Sequence, residues 1–212
     1  MALKFAIYYC LLFFTACLSA TYFRRLAFPD KLIGVLVLAT FFNELLSFFA
    51  DKIYHNNLPL YHIFCPIELL LISLYFSYSV RVLRIIAVVV GLLGVPLSIL
   101  NCWLFQPLKT INSNFLLFEA TAIILYSFTS FRQILLEEER LPYDFAQFWI
   151  STGFAIFWGA TFTGWGLYTV IDPDEFLINP IFGNVLIAVN YLLYLGISYV
   201  FLRYKKLIPS GG

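Results

Sequence analysis

The chain has 212 residues, of which 62% are hydrophobic, 20% are aromatic and only 12% are charged. An ordinary soluble domain has about 25% charged residues, so a soluble chain of this composition has too little polar surface to cover its core, and we expect a lipid environment. The net charge of +1 comes from 13 Lys and Arg that are dispersed along the chain, which gives no basis for nucleic acid as a partner.

Seven apolar runs divide the chain, and each is long enough to cross a bilayer, because a spanning helix needs about 20 mostly apolar residues. Charged residues, Asn or Pro occupy the breaks between the runs, and no break is long enough to hold a soluble domain. The sequence therefore predicts an all-α, polytopic membrane protein that forms a single domain over residues 1–212. The predicted spans are 4–23, 32–50, 60–79, 85–104, 114–135, 148–171 and 180–202.

The first run, 4–23, has one lysine near its start, Lys4, and is followed by the basic residues Arg24, Arg25 and Lys31. A cleaved signal peptide has its positive charge before the apolar region. We therefore expect the first helix to be retained, with its carboxyl end in the cytoplasm.

The basic residues of the later breaks favour the same orientation. The N-terminus and the even-numbered loops contain three Lys and Arg, whereas the odd-numbered loops and the C-terminal tail contain ten. The positive-inside rule then places the N-terminus outside and the C-terminus in the cytoplasm. We expect a multi-pass protein of the cell's inner or plasma membrane, with the lipid bilayer as its first partner.

Both histidines lie in the stretch DKIYHNNLPLYHIFCPIELL, residues 51–70. His55 falls in the break after the second run, and His62 falls at the start of the third. The segment 56–59 is typical of a turn, because Pro is favoured near the first position of a helix. His55, His62 and Glu68 supply the ligand types of a catalytic zinc site, two imidazoles and a carboxylate. A metal ion is thus one interpretation. The alternative is that His62 forms a hydrogen bond at the membrane interface and His55 is solvated.

Carboxyl and amide side chains inside the apolar runs concentrate in one half of the membrane. Such groups are costly in lipid and usually face the bundle interior or a water-filled cavity. With the N-terminus outside, they fall in the extracytoplasmic half, and the cytoplasmic half has almost no buried ionisable group. The sequence predicts one polar pocket in the extracytoplasmic half. The residues predicted to line it are Glu44, Tyr61, His62, Glu68, Asn101, Glu119 and Asn190.

Two classes of function fit such a pocket. The first is a binding protein, a sensor-like or transport-like core that holds a small polar or amphiphilic ligand. Its carboxylates would pair with a cation or accept hydrogen bonds from the ligand. The second is a membrane-embedded, metal-dependent hydrolase of a lipid or peptide, in which His55, His62 and a glutamate hold the metal and a second glutamate acts as general base. A structural role, in which these groups only join helices, stays open.

The four cysteines, Cys10, Cys17, Cys65 and Cys102, match no zinc spacing. Cys65 and Cys102 are both expected near the same membrane face. A disulfide between these two residues is one option, which depends on a distance that the sequence does not give.

The segment NNLPLYHIF, residues 56–64, followed by Pro66, Ile67 and Glu68, resembles a recurring signature of small bacterial seven-helix integral membrane proteins. The resemblance also takes in Asn101 and the region 112–114, so it extends over most of the chain. It implies a seven-helix fold. The family has no assigned activity, so the resemblance implies no catalytic residue and no cofactor.

Overall fold

The computed structural model describes residues 2–137, 140–168 and 180–211, which fold almost entirely into α-helices. Six of the helices in the described residues are long and apolar enough to cross a membrane, so the chain is a multi-pass helical membrane protein. In chain order the seven helices of the described residues are α1 (Ala2–Tyr22), α2 (Phe28–Tyr54), α3 (Leu58–Ser79), α4 (Ile86–Leu104), α5 (Ser113–Glu137), α6 (Ala146–Tyr168) and α7 (Pro180–Arg203).

Helix α6 differs from the other six in composition rather than in length. It has 23 residues, which include several glycines, threonines and tryptophans, and it is not among the six helices that meet the hydropathy criterion for a membrane span. The prediction of an all-helical fold is confirmed for the described residues, whereas a seventh membrane crossing stays a prediction. The last residues of the predicted span 148–171 lie outside the described residues.

Helix α2 is longer at both ends than the predicted span 32–50. Pro29 and Asp30 both lie in its first turn, where a fixed proline φ and a negative charge are favoured. The helix ends at His55, whose φ of 52° is left-handed and whose N–H donates to the Asp51 carbonyl. The predicted turn follows, because Asn56 Oδ1 accepts a hydrogen bond from the first backbone N–H of α3 at 3.0 Å.

Six of the helices form a closed ring in the order α1, α2, α3, α5, α6 and α7, and α4 packs outside this ring against α3 and α5. Two glycines allow α4 to approach α3 closely. A Cβ atom at Gly91 would lie 2.8 Å from Ser73 Cβ, and one at Gly94 would lie 2.6 Å from Leu69 Cδ2. The sequence spacing alone does not indicate that α4 lies outside the ring.

The short connections make successive helices antiparallel, so the chain begins at one face of the bundle and ends at the other. We call the face where α1 begins the N-terminal face and the face where α7 ends the C-terminal face. At the N-terminal face, Lys4 Nζ donates a hydrogen bond to Asn184 Oδ1 at 2.7 Å. At the C-terminal face, Ile208 N donates a hydrogen bond to the Asp144 carbonyl at 2.8 Å. The membrane orientation of these two faces stays a prediction.

A layer of buried aromatic rings crosses the ring of helices between the two faces. Tyr75 and Phe76 of α3, Tyr126 of α5 and Phe154 of α6 are all at most 4% exposed. The Phe76 ring centroid lies 5.5 Å from that of Tyr126 and 6.0 Å from that of Phe154. This aromatic layer divides the interior into a half near the N-terminal face and a half near the C-terminal face.

Candidate functional site

A cavity of about 220 Å³ lies inside the ring, between the aromatic layer and the N-terminal face. All six helices of the ring contribute residues to its wall. Glu44 of α2, Tyr61 and Glu68 of α3, and Asn190 of α7 line it together. We call this space the carboxyl cavity. The structure thus brings together four of the seven residues predicted for the pocket.

Helical spacing explains why these side chains face the same space. Tyr61 and Glu68 are seven residues apart on α3, which is about two turns, so they share a helix face. Thr40 and Glu44 are separated by about one turn on α2, and both line the cavity. The Tyr61 hydroxyl donates a hydrogen bond to Glu44 Oε1 at 3.3 Å, which joins α3 to α2 at the cavity wall.

Glu119 of α5 lies beside the carboxyl cavity rather than on its surface. It is 0% exposed, and within the described part of the chain neither of its carboxyl oxygens has a hydrogen-bond partner. Glu68 and Cys65 of α3 lie close enough to interact with it electrostatically. A carboxyl group at such a place carries a proton or needs a positive partner, because an isolated buried charge is very costly.

The surroundings of the three glutamates contain acidic and aromatic groups. The electrostatic neighbours of Glu44, Glu68 and Glu119 are one another, tyrosines and Cys65, and no basic side chain of the described residues is among them. Aromatic faces attract cations. When these carboxyl groups are ionised, they and the aromatic rings attract a positive charge rather than a negative one. The aromatic side chains that line the cavity are Tyr8, Tyr61, Phe64, Phe157, Trp158, Trp165 and Tyr194.

A second cavity, also of about 220 Å³, adjoins the carboxyl cavity on the side of the N-terminal face. The two cavities share four wall residues, which are Tyr61, Cys65, Leu116 and Trp165. On its other side the second cavity reaches Leu58 and Thr110, which lie in the first turn of α3 and in the loop between α4 and α5. The second cavity thus extends from the walls of the carboxyl cavity toward the loops of the N-terminal face.

Three residues predicted at the sequence level lie away from the carboxyl cavity. His62 lines the groove between α3 and α4, and its Nε2 forms a hydrogen bond with the Thr110 carbonyl at 2.9 Å. Asn101 lies near the end of α4 and donates to Asn112 Oδ1 at 2.6 Å, within an amide network that fixes the loop between α4 and α5. His55 is exposed at the end of α2.

The predicted metal ligands His55, His62 and Glu68 are therefore not gathered at one place. His62 and Glu68 line different cavities, on the outside and the inside of the ring. Among the residues that the structure describes, no group of three or more His, Cys, Asp or Glu is arranged to hold a metal ion. Cys65 and Cys102 are both free, so the disulfide considered between them is not present.

Asp30 is a buried acidic residue that the sequence pattern did not indicate. It was expected in the break after the first span, but it is 0% exposed in the first turn of α2. Its Oδ2 accepts hydrogen bonds from the Tyr204 hydroxyl at 2.7 Å and from Ser210 N at 3.2 Å. Asp30 is thus an exception to the expectation that this half of the bundle has almost no buried ionisable group. The partners lie 174 and 180 residues away, beyond the reach of any local pattern.

Tyr204 has a hydroxyl that is kept protonated by its position. Burial, followed by the neighbouring Asp30 carboxyl group, raises the pKa of this hydroxyl. It therefore remains a donor to Asp30, while the same oxygen accepts a hydrogen bond from Ala27 N at 2.6 Å. The C-terminal tail is in this way fastened to the first turn of α2.

Comparisons of the chain with protein-family models, curated proteins and solved structures find no match. The fold and the site alone define the class, which is a multi-pass helical membrane protein with a carboxyl-lined cavity inside its ring of helices. The resemblance to small bacterial seven-helix proteins stays a prediction.

Proposed function

We propose that the protein is a binding core that holds a small organic cation, such as an alkylammonium or guanidinium compound, in the carboxyl cavity. The observation that carries this proposal is the convergence of Glu44, Glu68 and Glu119 on one region without a basic partner among the described residues. A positively charged ligand supplies the missing partner, and it gains further from the aromatic walls.

The hydrogen-bonding groups of the cavity support a ligand that donates. Asn190 Nδ2 donates to the Leu186 carbonyl at 2.8 Å, which leaves the Asn190 side-chain oxygen to accept. Glu44 and Glu68 are also acceptors when ionised. The N–H groups of an ammonium or guanidinium ion match this set, and a charge-assisted hydrogen bond is stronger than a neutral one.

The volume of the cavity limits the size of the ligand. Sites for drug-sized molecules have about 300–1,000 Å³, and the carboxyl cavity has about 220 Å³. A water molecule takes about 30 Å³ of the liquid, so the cavity has the volume of roughly seven water molecules. An amphiphilic ligand fits if its cationic end occupies the carboxyl cavity and its apolar end extends into the adjoining cavity.

The two ends of the bundle favour a sensor-like core over a transport-like core in this conformation. The adjoining cavity lies on the side of the N-terminal face and shares wall residues with the carboxyl cavity, which supports access from that face. The aromatic layer around Phe76 and Phe154 lies between the cavity and the C-terminal face. A sensor needs access from one face only, whereas a transporter must open this layer as well.

A binding titration on the purified, detergent-solubilised protein tests the proposal. Trp158 and Trp165 line the cavity and report on binding through their fluorescence. The probes are tetramethylammonium, butylammonium and butylguanidinium ions, with butanol and butyrate as the neutral and anionic counterparts. We expect saturable changes with at least one cation and none with butanol or butyrate.

Two glutamine variants and one control variant test whether the glutamates bind the cation. We expect Glu44→Gln and Glu68→Gln each to weaken cation binding at least about tenfold, because each removes one buried charge partner. Asp51→Asn, on the exposed end of α2, serves as the control and should bind as the unmodified protein does. The proposal fails if the folded protein binds no cation, if butanol binds equally well, or if both glutamine variants bind normally.

A further inference from the structure

A groove of about 830 Å³ runs along the outside of the ring between α3 and α4, in the part of these helices nearest the N-terminal face. Ile63 and Ile67 of α3 form one wall, and Val95 and Ile99 of α4 form the other. All four side chains are exposed in the isolated chain. In a membrane this outer groove faces the hydrocarbon of the lipids and has no connection to the carboxyl cavity through these residues.

The charged part of the outer groove is its end at the N-terminal face. Lys109, in the loop after α4, is the charged residue that lines the groove within the described part of the chain. Trp103 lies beside it and is 82% exposed. Indole rings are favoured at the membrane interface, so this end of the groove is expected at the level of the lipid headgroups.

His62 lies in the wall of the outer groove and holds the loop that carries Lys109. It is 5% exposed, and its Nε2 lies 2.9 Å from the carbonyl of Thr110, the residue after Lys109. A carbonyl oxygen can only accept, so Nε2 carries the hydrogen. Nδ1 is buried, so it does not face a molecule in the open groove. The hydrogen bond to Thr110 therefore fixes the position of Lys109 at the end of the groove.

We propose that the outer groove is a binding site for a phospholipid with an anionic headgroup, such as phosphatidylglycerol. One acyl chain lies between Ile67 and Ile99, and the phosphate pairs with Lys109. The apolar walls and the positive charge at the interface end match the two parts of such a lipid. The site is independent of the proposed cation in the carboxyl cavity.

Quenching of Trp103 by brominated lipids tests this site. The full-length protein is placed in nanodiscs of phosphatidylcholine that contain a small, constant fraction of dibrominated phosphatidylglycerol or dibrominated phosphatidylcholine. The Trp103→Phe variant isolates the emission of Trp103 from that of the other tryptophans. We expect phosphatidylglycerol to quench Trp103 about fivefold more strongly at equal fraction, since one basic residue near an anionic lipid contributes a preference of that order.

Matched variants separate a specific site from general contact with lipid. Lys109→Gln should abolish the preference for phosphatidylglycerol, whereas Lys52→Gln, on the same face but outside the groove, should leave it unchanged. Cys102→Phe narrows the groove and should reduce quenching, whereas Cys17→Phe on the exposed surface of α1 should not. Dibrominated phosphatidylmethanol, which has the same charge but no headgroup hydroxyl, should quench as strongly as phosphatidylglycerol, because the preference depends on the charge of Lys109.

Two results overturn the proposal. Equal quenching by brominated phosphatidylglycerol and phosphatidylcholine means that the groove holds only ordinary surrounding lipid. Absence of quenching by either lipid, together with a dimeric mass in light scattering, means that a second copy of the chain covers the groove. Neither result bears on cation binding in the carboxyl cavity, so the two proposals fail separately.

Discussion

Asp30 and Glu119 are both fully buried acidic residues, but the structure surrounds them with different groups. Oδ2 of Asp30 accepts hydrogen bonds from Tyr204 and Ser210, and only its Oδ1 has no partner among the described residues. Neither carboxyl oxygen of Glu119 has one. Burial of a charge without a partner is unfavourable. Asp30 therefore has the environment of a structural residue, and Glu119 has that of a residue whose partner is a ligand or a proton.

Asp30 and Glu119 also differ in which part of the chain supplies their neighbouring groups. The C-terminal tail supplies the partners of Asp30, and Ser210 Oγ also lies 3.1 Å from the Tyr75 hydroxyl. Near the N-terminal face the neighbour of Glu119 is a second carboxyl group, Glu68, which lines a cavity. The comparison indicates that hydrogen-bond satisfaction, rather than burial, distinguishes an acidic group that holds the fold together from one that is available to bind.

Asp30→Ala should have the largest effect on stability. We expect the free energy of unfolding to fall by about 3 kcal/mol, because two donors lose a carboxylate acceptor inside the bundle. Unfolding by sodium dodecyl sulfate in mixed micelles, followed by circular dichroism, measures this change. Asp51→Ala, at the exposed end of the same helix, is the control and should be within about 0.5 kcal/mol of the unmodified protein. If Asp30→Ala has an effect as small as that of Asp51→Ala, then Asp30 does not have the structural role that distinguishes it from Glu119.

Glu119→Leu should change stability in the opposite direction. Replacement of an unsatisfied buried carboxyl group by an apolar side chain of similar volume should raise the free energy of unfolding by about 1–2 kcal/mol. The same micelle titration measures it, with Glu119→Gln as a polar control that should be stabilised less. If Glu119→Leu destabilises the protein as much as Asp30→Ala does, then Glu119 has a structural role and the contrast between the two sites is lost.

The helical spacing explains which parts of the site were predictable from the sequence. The spacing of seven residues correctly placed Tyr61 and Glu68 on one face, because it depends only on the geometry of the helix itself. His62 and Glu68 are six residues apart, which puts them about 120° apart around α3 and on different sides of the ring. Asn101 was misplaced because the position of α4 outside the ring depends on tertiary packing at Gly91 and Gly94.

Ser210→Ala tests the attachment of the tail with a smaller effect. The loss of the hydrogen bond between Ser210 Oγ and the Tyr75 hydroxyl should lower the free energy of unfolding by about 1 kcal/mol. A double-mutant cycle with Tyr75→Phe measures the interaction directly, and a coupling energy of about 1 kcal/mol is expected. Additive effects of the two substitutions would show that this contact does not contribute to the stability of the C-terminal face.

Tyr61→Phe should have the smallest effect on stability, although it also removes a hydroxyl that bonds to a carboxyl group. The Tyr61 bond to Glu44 is long, at 3.3 Å, and borders a cavity in which water can replace the hydroxyl. We expect a change within about 0.5 kcal/mol. Tyr204→Phe is the matched control, because its shorter bond to buried Asp30 should contribute about 1–2 kcal/mol. Equal losses in the two variants would mean that Glu44 is held as Asp30 is held, and that the carboxyl cavity is part of the structural framework rather than a place left open for a ligand.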